Sequence, residues 1–192
     1  FYASYRNIRT LDLELYQLSV DTFLKMDTGV INRWDFDPSS YDLVWSKRVT
    51  STAALNERAL SSFTMTGSDG GALSPGIYFL GIRTPEVPRY SSLYNDSRVL
   101  IVADANITLK TTTEEALMWV TGLEDGAPIA GVPLTLFDEN LAPIGRGVTD
   151  EYGLLYIEDI VFSSAQAEDF YTYHTIYVAT GEESPAFGLA AS

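Results

Sequence analysis

Residues 126–153, "GAPIAGVPLTLFDENLAPIGRGVTDEYG", decide how this chain is read. Gly126 can supply a positive φ for a tight turn after Asp125, and Pro128 fixes the exit from it. Val132, Leu134 and Leu136 then alternate with less apolar residues, the period-2 pattern of a half-buried strand. Asp138-Glu139-Asn140 makes a second turn, and Asp150 to Gly153 a third. Between them the chain crosses back through Gly145-Arg146-Gly147, so the stretch reads as consecutive antiparallel strands joined by corners. Gly145 and Gly147 open no predicted helix whose N-terminus could hold phosphate, and they read as hinges or bulges.

The same rhythm extends in both directions. Downstream of residue 105, "EALMWVTG", "VPLTLFD", "GLLYIED", "YHTIYVAT" and "PAFGLAA" supply strands at intervals of about 10 residues, the spacing of an all-β sandwich. Upstream, "LDLELYQL" places Leu11, Leu13 and Leu15 on one side of a strand and Asp12, Glu14 and Tyr16 on the other. "SVDTFLKMD" follows, with Ser19 as N-cap of a helix near 19–27. "YDLVWSKRV", "LSSFTMT", "GIYFLGIR" and "RVLIVAD" read as further strands. In "SPGIYFLGIR" both alternating sets are apolar, Ile77 and Phe79 against Tyr78, Leu80 and Ile82, so both faces of that strand are expected to be covered. One strand closing a module runs almost directly into the next near residue 105. The expected fold is therefore all-β, two tandem antiparallel β-sandwich domains at 1–104 and 105–192.

The charge balance changes at the same place. Of the formal −14, the residues up to Ala105 carry 10 Lys and Arg against 12 Asp and Glu, and those from Asn106 onward carry 2 against 14. An acidic second half repels phosphate backbones and offers no basic face to anionic lipid, so nucleic-acid binding is not expected. No run of about 18 apolar residues exists to span a bilayer, and direct membrane insertion is not expected either. The chain starts at Phe1 without the basic-then-apolar order of a secretory signal, which reads as a processed chain or an excised fragment. Zero cysteines exclude disulfides, thiolate ligands, cysteine nucleophiles and an internal thioester within these 192 residues.

Little reactive chemistry is written into the residues. His174 is the single histidine, set in "TYHTIYVAT" where Tyr173, Thr175 and Tyr177 take the opposite face, so it reads as a strand-surface residue and not a general base. A Gly-x-Ser-x-Gly elbow is absent. Adjacent carboxylates recur at Glu114-Glu115, Glu124-Asp125, Asp138-Glu139, Asp150-Glu151, Glu158-Asp159, Glu168-Asp169 and Glu182-Glu183. Neighbours on a strand point to opposite faces, and most of these pairs fall at turns, so they read as solvated corners and not as a glycosidase pair. Calcium held by Asp125, Asp138 and Asp150 from neighbouring loops is the sharper alternative, and the spacing lacks the Asp pattern of an EF-hand. The expected catalytic, cofactor and metal residues are none. Trp34, Trp45 and Trp119, with 12 Tyr and 9 Phe, are expected to be buried for the most part, the other outcome being an exposed aromatic patch.

Trp119-Val120-Thr121, Asp125-Gly126, Pro128, Ala130-Gly131, residues 134–138 and Thr149-Asp150-Glu151-Tyr152-Gly153 together resemble the macroglobulin-type (MG) β-sandwich domains of bacterial alpha-2-macroglobulins. "LDLELYQLSVDTFL" and "SPGIYFLGIR" are similar to the module just upstream in that family. The segment 125–153 also resembles carboxypeptidase-regulatory-like modules, because its pattern is hairpin chemistry. The alpha-2-macroglobulin resemblance implies an immunoglobulin- or fibronectin-like scaffold pair within an endopeptidase inhibitor that traps proteases. It implies neighbouring MG domains of one parent chain as contacts, and target proteases engaged through the whole parent. It also implies a periplasmic, cell-surface or extracellular setting, with no enzyme activity and no cofactor in these residues. The alternative is a tandem stalk or adhesin module that binds protein or glycan.

Overall fold

In the computed structural model, residues 1–86, 96–161, 175–181 and 184–192 are described. They form two compact units, Phe1–Val102 and Ala103–Ser192.

The first unit holds strands β1 (Tyr2–Arg6), β2 (Thr10–Leu18), β3 (Leu43–Thr50), β4 (Arg58–Ser62), β5 (Gly76–Arg83) and β6 (Asp96–Val102). Its larger sheet has the order β3-β2-β5-β6, and β1 and β4 make a separate antiparallel pair. The alternation in β2 sets the core. Leu11, Leu13 and Leu15 are buried together with Ala3, Phe63, Tyr78 and Leu80 in one cluster between the two sheets. Each large apolar side chain so buried contributes about 1.5–3 kcal/mol. Every residue from Gly76 to Gly81 is buried, as the doubly apolar pattern of β5 requires.

The second face of β5 is covered by the excursion between β2 and β3. This carries helix α1 (Val20–Asp27), whose N-cap Ser19 hydroxyl accepts from the Thr22 amide at 3.2 Å. The Thr22 hydroxyl meets the Tyr41 hydroxyl at 2.9 Å, and the Phe36 ring stands edge-on to Phe79 at 5.0 Å. The 19–42 insertion thus acts as the lid of a sheet face, which explains why Ile77 and Phe79 are apolar as well as Tyr78 and Leu80. The strand expected at "LSSFTMT" ends earlier, at Ser62. β1 begins at Tyr2, so its partner ladder runs out there, and Phe63 closes it by bonding Phe1 in both directions, at 2.8 and 3.0 Å.

The second unit holds β7 (Ala105–Thr111), β8 (Ala116–Gly122), β9 (Pro133–Phe137), β10 (Pro143–Val148), β11 (Leu154–Ile157), β12 (Tyr177–Thr180) and β13 (Leu189–Ala191). Two sheets, β11-β8-β7 and β10-β9-β12-β13, enclose Met118, Val120, Val132, Leu134, Leu136, Ile176 and Val178. All neighbouring strands are antiparallel. The fold is an all-β sandwich of the immunoglobulin and fibronectin kind. It departs from the constant-type immunoglobulin order in one strand: the fourth, β10, pairs with β9 rather than with β11.

The chain accordingly does not run on as one meander from β9 to β11. It leaves the larger sheet after Val148 and enters the other through the corner Thr149–Gly153. Gly145 sits where the β9-β10 register shifts, a bulge. Gly147 is neither hinge nor bulge: a Cβ there would stand 2.5 Å from Leu155 Cδ1, so its bareness makes room for β11 side chains.

Candidate functional site

The corner after β10 is densely bonded. Thr149 is buried, and its hydroxyl donates to the Ile129 carbonyl at 2.8 Å while accepting from the Val132 amide at 3.0 Å. Its backbone bonds Gly131 and Val132 as well, at 3.0 and 3.1 Å. Asp150 Oδ1 accepts from the Tyr152 and Leu154 amides, at 2.9 and 2.8 Å. Gly153, at φ +72°, lies so close to β8 that an added Cβ would be 2.5 Å from the Val120 carbonyl oxygen. Thr149, Asp150 and Gly153 thus make a structural clamp between the two sheets, the first two through their bonds and the glycine through lack of space.

The other acidic corners work the same way. Asp125 Oδ1 accepts from the Ala127 amide at 2.9 Å, and Gly126 takes φ +69°. Asp138 is not the solvated corner residue expected: it is fully buried, because its Oδ1 turns inward to accept from Asn140 and Ala142, each at 2.9 Å, and Leu141 takes φ +63°. Antiparallel connectivity then separates these aspartates. The corners 123–132 and 149–153 lie at one end of the sandwich, and the corners 112–115, 138–142 and 158–159 at the other. Asp125 and Asp150 therefore share an end that Asp138 does not, and the three do not converge. Among the described residues there is no group of three or more His, Cys, Asp or Glu placed to hold a metal ion. His174, Glu168-Asp169 and Glu182-Glu183 lie outside the described residues.

Charged groups in the first unit pair across strands. Arg48 forms a two-pronged bridge to Asp12 at 2.5 and 2.9 Å, and its hydrogen bonds and charge hold the Asp12 carboxyl below the usual range. Arg83 approaches Glu14 at 3.8 Å, and Glu14 accepts from the Tyr16 hydroxyl at 2.9 Å.

Two of the three tryptophans depart from the expectation of burial, which Phe63, Tyr78, Phe79 and Tyr177 meet. Trp34 is 60% exposed and Trp119 45%. Trp34 is stacked by its own neighbour, with the Arg33 guanidinium 4.7 Å from the ring centroid. Trp119 stands on the outer face of the β11-β8-β7 sheet, opposite Leu154 on β11 and Thr108 on β7. Its indole N–H donates to the Tyr152 carbonyl at 3.2 Å. Leu117, Tyr152 and Tyr156 share this exposure, at 36%, 63% and 50%. The Tyr156 hydroxyl bonds to Glu115, and that bond, with burial and the charges of Glu115 and Glu158, pushes its pKa up to about 12. The period-2 pattern puts Leu117 and Trp119 on one face and Ala116, Met118 and Val120 on the other. Which face would meet water followed only from the sheet pairing.

No protein-family model and no curated protein matches the sequence. Solved structures do. A crystal structure of native Escherichia coli alpha-2-macroglobulin spanning domains NIE-MG1 matches with a TM-score of 0.62 at 15% identity, over 98% of this chain and 86% of that one. A longer fragment of that protein, MG0-NIE-MG1, matches with a TM-score of 0.64 at 16% identity, over 98% of this chain and 57% of that one. A mutant of Salmonella alpha-2-macroglobulin matches with a TM-score of 0.59 at 15% identity, over 98% of this chain and 10% of that one. The chain thus spans about a tenth of the Salmonella protein and over half of the three-domain fragment. No helix among the described residues is long and apolar enough to cross a membrane. Across both of its units, this chain carries the fold of the NIE-MG1 domain pair of bacterial alpha-2-macroglobulin.

Proposed function

We propose that the chain is a non-catalytic scaffold pair within a bacterial alpha-2-macroglobulin-like protease trap. The observation that carries this reading is that one two-domain fragment, NIE-MG1, is matched over 98% of this chain and 86% of its own length. Two unrelated sandwiches joined at random would match separate proteins, one each. Residues 1–104 correspond to the NIE position and 105–192 to MG1, following chain order. The bonding of the corners supports the scaffold role: Asp125, Asp138, Thr149 and Asp150 each commit side-chain oxygen to backbone amides. A carboxylate so engaged organises a loop, and its occupied oxygen is not open to substrate.

In this reading the neighbouring MG domains of the parent chain are the direct contacts, and target proteases meet the parent as a whole. The setting is the periplasm, the cell surface or the medium.

The test compares two proteins against one protease, read with a large protein substrate and a small chromogenic peptide. The protein containing this chain should block cleavage of the large substrate and spare the small one, because a caged protease stays active behind a steric barrier. The 192-residue chain alone should do neither. Inhibition of both substrates by the parent, or any proteolytic or glycosidic turnover by the chain itself, would overturn the proposal.

A further inference from the structure

The outer face of the β11-β8-β7 sheet joins two features that monomeric surfaces keep apart. Leu117, Trp119, Tyr152 and Tyr156 are all more than a third exposed and lie on adjoining strands and their corner. Exposed aromatic clusters of this kind mark interaction surfaces. At the end of the face nearest Leu117 and Tyr156, the corners bring Glu114, Glu115, Glu158 and Asp159 to the surface. The corner at the opposite end adds Glu151 beside Tyr152. Across the strands Lys110, opposite Leu117, is the one cation on this side among the described residues. The unit as a whole, from Ala103 onward, carries Lys110 and Arg146 against 15 Asp and Glu: 2 − 15 = −13, while Phe1–Val102 carries 10 − 11 = −1.

Trp34 shows within the same chain what such a ring does when a cation is near, with Arg33 seated over it at 4.7 Å. Among the described residues no cation occupies the ring of Trp119 or of Tyr156. A flat, ringed face with an acidic border complements a segment that presents Arg or Lys on one side, since guanidinium groups stack on the rings while the carboxylates accept their N–H bonds. A neutral sugar would use the rings and leave the carboxylates unemployed, and an anionic partner would be repelled.

We infer that the outer face of β8 and β11, built on Trp119 and Tyr156 and bordered by Glu115 and Glu158, docks an extended basic segment of a protein partner. The rings supply stacking surface and the border supplies charge complementarity. The scaffold reading is not required for this, and the two fail separately.

The probe is a fluorescein-labelled octapeptide of alternating Arg and Thr, titrated into the 192-residue chain by fluorescence anisotropy and by amide and indole NMR shifts. Binding should move the Trp119 indole N–H and the amides of β8 and β11. Trp119→Thr, which keeps a strand-forming residue on the outer face, should weaken it by about tenfold, the loss of one cation–π contact of a strength between the exposed and the fully desolvated. Glu115→Gln with Glu158→Gln should weaken it and flatten its decline as NaCl rises from about 50 to about 300 mM. Trp34→Thr should leave it unchanged. The inference is overturned by shifts confined to other surfaces, by undiminished affinity in both the Trp119 and the double-Gln variants, or by cellohexaose binding the same residues more tightly than the peptide. A dispersed amide spectrum for each variant establishes that the fold survived.

Discussion

Gly153→Ala should be among the most damaging single-methyl additions this chain can receive, and Gly126→Ala among the milder ones, although both glycines have nearly the same positive φ. Gly126 takes φ +69° with nothing within 4 Å of an added Cβ, so alanine there costs only the left-handed backbone, about 1 kcal/mol. Gly153 takes φ +72°, and its Cβ would lie 2.5 Å from Val120 O, 3.1 Å from Ile129 N and 3.1 Å from Pro128 Cβ. The carbonyl it strikes is not free to retreat, because Val120 O accepts from the Ile129 amide at 3.0 Å and Val120 N donates back to Gly153 O at 2.9 Å. Relief therefore requires opening the clamp. To the backbone term of about 1 kcal/mol are added about 1–3 kcal/mol of overpacking strain and about 1 kcal/mol for a lost hydrogen bond. The total is about 3–5 kcal/mol. A unit of this size is stabilised by about 5–13 kcal/mol in all. With a urea slope of about 1–1.5 kcal/mol per molar, the midpoint of the second unit should fall by about 1 M for Gly126→Ala and by about 3 M for Gly153→Ala. Urea titration followed by the amide signals of Met118 and Val120 reads that unit, and those of Leu13 and Leu15 read the first as an internal control. Equal midpoint shifts for the two variants would refute the steric argument, since the only difference claimed between them is the approach to β8.

Three further outcomes can be checked. Thr149→Val removes the donor to Ile129 and leaves the buried Val132 amide unpaired, so chemical denaturation of the second unit should show a loss of about 2–3 kcal/mol while the first unit is unaffected. Asp12 has a folded pKa below its unfolded one, so the Asp12–Arg48 bridge contributes stability present above the unfolded value and lost as pH falls through the folded value. Arg48 is largely solvated and Asp12 partly so, which keeps the contribution small; a comparison of wild type with Asp12→Asn should show stability curves that converge in acid and separate near neutrality. Tyr156, pushed up to about 12, should be among the late phenols in an ultraviolet titration, and Glu115→Gln should bring its ionisation earlier by removing the bond and the charge that retain its proton.

The local chemistry of the chain was legible at the level of single residues. Ser19 reads as an N-cap and is one, because capping needs only the hydroxyl three residues ahead of the amide it serves. Leu11, Leu13 and Leu15 read as one buried face, and the double apolar run of β5 reads as a strand covered twice, because period and hydropathy are properties of a segment. The acidic corners are legible for the same reason: Asp125, Asp138 and Asp150 bond amides two to four residues away.

What lay outside the sequence depends on partners far along the chain. Nothing local says that β10 stays with β9 while β11 crosses to β8, since both strands are short and their patterns suit either sheet. That partition decided two functional matters at once: it turned Gly147 from a supposed hinge into space for Leu155, and it set Tyr156 beside Leu117 and Trp119 on the outside of the sheet. Alternation separates the two faces of a strand, but the choice of which face meets water is made only when the second sheet closes over the first, and that is a property of the assembled core.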